Sequence, residues 1–225
     1  MKKTKKVVAL LLCAVLLVVG SVTGTMAYLT SQDSVQNTFT VGKVAITLDE
    51  AGVNEYGQYV DVDENGDKGT TPQNDPAENR VKNNTYNLLP GKTYPKDPIV
   101  HVDASSEDCW VFVEVANGIK IFEDTNGITI ENQILGNGWA KLTGEENVYY
   151  KAYQKNQTDK DLKVFANFKI ANEADKVQGW NSVTNTGEAA TTIKVTAYAI
   201  QSEGFENVSN AWTTVSTASQ NGASN

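Results

Sequence analysis

The sequence predicts an all-β fold, a jelly-roll-like β-sandwich with an N-terminal signal helix before it and a short C-terminal helix after it. Three observations carry this. Asx, Thr, Gly and Val are plentiful while Leu and Ala are not, which favours pleated strands and tight turns. About seven to nine short apolar runs are separated by Asn-Gly, Pro-Gly and Asp-rich turn signals. Helical periodicity is nearly absent, and there is no internal repeat of fixed period.

The 225 residues fit one domain behind an export signal. MKKTKK is a basic n-region, and VVALLLCAVLLVVGSV is an apolar h-region of about 16 residues, short of the ~20 that a stable membrane span needs. Thr25 and Ala27 place small side chains three and one residues before a cleavage point at Tyr28. Residues 1–27 therefore read as a signal peptide, with no stable membrane anchor after cleavage. Leu12 precedes Cys13 where a lipobox needs a small residue, so a lipoprotein is excluded. Loss of Cys13 with the signal leaves Cys109 as a single thiol, and no disulfide can staple the fold.

The formal charge is −8, and the signal takes Lys2, Lys3, Lys5 and Lys6 with it, leaving 15 basic against 27 acidic residues. Arg80 is the only arginine. Phosphate backbones need clustered cations, so the composition excludes a nucleic-acid partner.

Residues 28–37 are polar and read as a mobile mature N-terminus, with the sandwich domain over 38–212. In TFTVGKVAITL the apolar positions are Phe39, Val41, Val44, Ile46 and Leu48, and the alternation shifts phase at Gly42, which predicts a bend between two short strands. Residues 49–87 form a long polar insertion. Within it, DVDENGDKG sets Asp61, Asp63, Asn65 and Asp67 around Gly66, the ligand spacing of the first half of a calcium loop. Position twelve is Pro72 rather than a bidentate Glu, and no helix flanks the loop. The stretch predicts a solvated acidic turn, with weak calcium binding as the alternative and no other cofactor.

Further on, a Pro-Gly turn leads through Pro95 and Pro98 to a strand at Ile99–Val102. Cys109–Val115 is apolar nearly throughout and predicts a central strand buried on both faces. Ile119–Phe122 and Ile128–Ile134 lie between Asn-Gly signals and read as hairpin strands. Val148–Tyr153, Leu162–Ile170 and Thr191–Ile200 complete the set, with Phe165 on a largely solvated face of the second. Phe205–Val215 reads as a short helix with Trp212 packed down, and residues 213–225 as a disordered tail.

Four segments, GTMAYLTSQD, NTFTVGKVAITL, LLPGKTYPKDPIVHVDASSEDCWVFVEV and TTIKVTAYAIQSEGF, occur in the order of a known family. The chain resembles the TasA/camelysin family of secreted biofilm-fibre proteins across roughly a third to a half of its length. The resemblance implies processing by a SipW-type signal peptidase and a jelly-roll domain exported to the cell surface or biofilm matrix of a Gram-positive bacterium. It also implies fibre formation by donation of an N-terminal strand, here drawn from Tyr28 to Leu48 with Phe39, Val41, Val44, Ile46 and Leu48 as its apolar positions; the alternative is that Phe39–Leu48 pairs only within its own chain. An extended segment that adds to an open sheet edge satisfies its backbone hydrogen bonds along its length.

Camelysin-like members are described as metallopeptidases, but His101 is the single histidine and no HExxH is present. No GxSxG elbow accompanies it either. The sequence therefore predicts a structural protein of the cell surface or matrix rather than an enzyme. Its partners are expected to be further copies of itself and matrix components. A monomeric adhesion or carbohydrate-binding module is the alternative, drawing on Trp110, Trp139, Trp180, Trp212, Tyr149, Tyr150 and Tyr153; a surface metallopeptidase ranks third.

Overall fold

The run CWVFVEVAN forms strand β7 (Cys109–Asn117), which lies between β12 (Ile193–Gln201) and β9 (Val148–Tyr153). Its odd residues, Cys109, Val111, Val113 and Val115, enter the main core, while Phe112 fills a second cluster on the opposite face. A strand covered on both sides needs apolar side chains on both parities, and this one has them. The computed structural model describes residues 43–177, 180 and 192–222, all within one unit, Gly42–Asn225. Among these the chain is all-β, in antiparallel sheets, apart from two short helices and two single turns of 3-10 helix.

One four-stranded sheet has the order β10 (Asp161–Lys163), β6 (Ile99–Val102), β1 (Ile46–Ala51), β4 (Arg80–Val81). The other runs β12, β7, β9, β8 (Ala140–Lys141). Val100, Val102 and Leu162 of the first sheet join Val111, Val113 and Tyr153 of the second in a single buried cluster. Two smaller pairs complete the fold: β2 (Val60–Val62) with β3 (Lys68–Pro72), and β5 (Thr93–Pro95) with β11 (Asn167–Lys169). No helix among the described residues is long and apolar enough to cross a membrane.

Several expectations are corrected. Leu162–Ile170 is two strands, because the partner chain from β5 to β6 carries Pro95 and Pro98, neither of which can donate to a ladder. Only Val164 N–H to the Pro98 carbonyl and Lys96 N–H to the Ala166 carbonyl span the bend. Phe165 turns inward there and is buried, not solvated. Ile119–Phe122 is not a strand; Lys120–Phe122 forms a 3-10 turn.

Ile128–Ile134 is not a strand either, since helix α1 (Ile130–Gly136) occupies it. Thr129 caps that helix by accepting the Asn132 N–H, Glu131 sits in its first turn, and Ile130 and Ile134, four apart, bury one face. The polar insertion is ordered: it continues β1 to Ala51 and contains β2, β3 and β4. Helix α2 (Val208–Gly222) extends through most of the expected tail. Its Ala211 and Trp212 cover Phe112, Leu142 and Val148.

Candidate functional site

Across the outer face of the first sheet, polar side chains from β10, β6, β1 and β4 join in a row. His101 on β6 has Nδ1 2.7 Å from Asp161 Oδ1 and Nε2 2.9 Å from Asp49 Oδ1. Asp49 Oδ1 also accepts from Arg80 Nε at 2.5 Å. Arg80 continues to the Asp97 carboxylate at 3.2 Å and the Asp97 carbonyl at 2.8 Å. Burial disfavours the charged imidazole, but the bonds to Asp49 and Asp161 outweigh it and raise the His101 pKa. Burial likewise pushes Asp49 upward, and its bonds to His101 and Arg80 reverse this and lower it. With a carboxylate on each ring nitrogen, His101 bonds both only as a doubly protonated donor. The row ties four strands together and offers no activated nucleophile.

The acidic turn closes the β2–β3 hairpin. Asp63 Oδ1 accepts the Asn65 N–H at 2.9 Å and the Asp67 N–H at 2.8 Å, and Gly66 takes φ 84° to complete the turn. These bonds hold the Asp63 carboxyl below its ordinary pKa. Among the described residues, no group of three or more His, Cys, Asp or Glu side chains converges as a metal site.

The open feature is the edge of β12. Among the described residues this nine-residue strand pairs only with β7, without a register shift. Gly118 N–H donates to the Thr192 carbonyl and Ser202 N–H to the Asp108 carbonyl, so even-numbered residues of β12 face β7. Val115 N–H donates to the Asn147 carbonyl, which confirms that odd-numbered residues of β7 face β9 instead. The N–H and C=O groups of Ile193, Val195, Ala197, Ala199 and Gln201 therefore point away from β7, along the edge that has no partner among the described residues. The side chains of the first four pack on the main core yet stay only half-buried. Beside the start of this edge a hollow of about 280 Å³ lies between Leu48–Glu50 of β1 and Ile193–Val195. The buried pair Lys96 Nζ–Glu50 Oε2, at 2.5 Å, borders it.

Of the residues singled out from the sequence, Ile46 and Leu48 pair with Val102 and Val100 of their own chain, and Val44 packs on the core beside them. Phe39, Val41 and the cleavage residues Thr25, Ala27 and Tyr28 lie outside the described residues. Of the aromatics, Trp139, Trp180, Trp212, Tyr149 and Tyr153 are buried. Trp110 and Tyr150 are half-buried and meet edge-on rather than as a flat platform. No protein-family model, curated protein or solved structure matches the chain. The free edge of β12 and the row through His101 both escaped a reading of the sequence, because each is set by pairing between distant segments.

Proposed function

We propose that the chain is a secreted structural protein of the cell surface or biofilm matrix of a Gram-positive bacterium. Its jelly-roll-like domain assembles into fibres by passing an N-terminal segment between copies. One observation carries this reading: a nine-residue strand that, among the described residues, pairs along one edge only, over a half-covered apolar core. Monomeric proteins usually blunt such an edge with proline, bulges or inward charges. β12 has no proline and no bulge, and Lys194 is its only charged residue. The export signal and the TasA/camelysin-like segments support the same reading. Because Ile46–Ala51 is held between β6 and β4, the donated part is drawn from residues 28–42 rather than from the whole of Phe39–Leu48.

Fractionation of producing cells tests the reading. The chain should appear in the extracellular matrix fraction with Tyr28 as its first residue. Retention inside the cell, or an uncleaved N-terminus on all of the exported protein, would contradict it.

A further inference from the structure

We propose that Lys96 and Asn84 join through an intramolecular amide bond, with Glu50 as the catalytic acid and base and ammonia as the leaving group. Three groups of complementary chemistry meet here. Lys96 Nζ lies 2.5 Å from Glu50 Oε2, and Asn84 Nδ2 donates to Glu50 Oε1 at 3.0 Å. A nucleophile and an acyl carbon are thus held on the two oxygens of one carboxylate, which supplies proximity and a proton carrier together. The Lys96 and Glu50 side chains are only 10% and 6% exposed, so little water competes for the amine. Tyr86, Leu88 and Phe168 wall the far side of Lys96 and Asn84, while the hollow beside β1 gives ammonia a way out.

The surroundings of Asn84 suit an acyl acceptor. Its Oδ1 accepts the Val53 N–H at 2.9 Å and a bond from Lys68 Nζ at 3.2 Å. A backbone N–H only donates, so this contact fixes which amide atom is the oxygen. Both donors face the oxygen on which negative charge gathers when an amine adds to Cγ. Nδ2 also donates to the Ala51 carbonyl at 2.9 Å, so the amide is held at both ends.

Glu50 first takes a proton from the Lys96 ammonium, and the freed lone pair of Nζ forms a bond to Asn84 Cγ. Glu50 then passes that proton to Nδ2, the Cγ–Nδ2 bond breaks and ammonia departs. The carboxylate removes the surplus proton from Nζ and yields it to the ammonia, which leaves as ammonium. Glu50 ends ionised, as it began, and no oxidant or reductant is consumed. The ion pair is the state before reaction, carried by freshly folded chain. The product ties the end of the polar insertion to the segment between β5 and β6. It requires the fold alone, and neither export nor assembly.

Intact mass and tryptic mapping of the purified, folded chain at neutral pH test this. The chain should lose the mass of one ammonia with time. Peptides 83–92 and 93–120 should then emerge as one branched species, uncut after Lys96. Lys96→Arg preserves the ion pair and should keep its full mass. Glu50→Gln should form the branch at least about a hundredfold more slowly. Unchanged mass in the unmodified chain would overturn the inference, as would ammonia lost without the branch, which marks succinimide closure. A branch to Glu50 with loss of one water would make Glu50 the acceptor and overturn it too. Equal rates in Glu50→Gln and the unmodified chain would remove Glu50 from the chemistry.

Discussion

His101 Nε2 lies 2.9 Å from Asp49 Oδ1, joining the middle strands of the first sheet through an oxygen that Arg80 also uses. Folding raises the His101 pKa, so the bonds contribute fully below about pH 6.5, where the unfolded imidazole is charged as well. That contribution is lost as the pH rises through the folded value. In the unmodified protein Tm should fall across this window, and His101→Asn should flatten the fall. The expected difference is about 1 kcal/mol, or ~2–4 °C. Asp49 acts at the other end of the scale: its lowered pKa adds stability that disappears as the pH falls through its folded value.

Glu50 and Lys96 are both largely withdrawn from solvent, and Asn84 Nδ2 completes the arrangement by donating to Glu50 Oε1 at 3.0 Å. Glu50→Ala would strand a buried ammonium group. It should cost about 3–5 kcal/mol in urea unfolding, and Glu50→Leu combined with Lys96→Met should recover most of that loss. A double variant no better than the single one would show that the charge pair itself is needed there.

Trp212 fastens α2 to the second sheet. Its ring packs 5.3 Å from both Phe112 and Tyr198, and its indole N–H donates to Glu145 Oε1 at 3.1 Å. Trp212→Ala should cost about 3 kcal/mol, roughly 6–12 °C in Tm, and should release α2 to proteolysis.

The hairpin loop at Asp61–Asp67 spends the Asp63 carboxylate on its own amides. Calcium titration followed by calorimetry should give a dissociation constant no tighter than about 10⁻⁴ M. Micromolar binding would mean that the loop reorganises around the ion.

Local chemistry made several strands legible. Ile99–Val102 and Val148–Tyr153 are strands over the expected residues, and β7 is central because it is apolar on both parities. Ile128–Ile134 misled because isoleucines favour strands, while the Thr129 cap and the four-residue spacing of Ile130 and Ile134 decide for helix. The row through His101 joins positions 49, 80, 97, 101 and 161, and no local pattern encodes those pairings. The pairing of β12 with β7 alone among the described residues is equally non-local: TTIKVTAYAI reads as a strand but does not say how many neighbours it has.

The most direct measurement compares two forms of the mature chain, residues 28–225, by light scattering and negative-stain microscopy: unmodified, and carrying Phe39→Asp with Val41→Asp. The unmodified chain should form fibres, while the variant should remain a folded monomer with an unchanged far-ultraviolet spectrum. Monomers from both, or equal fibres from both, would contradict assembly through the N-terminal segment.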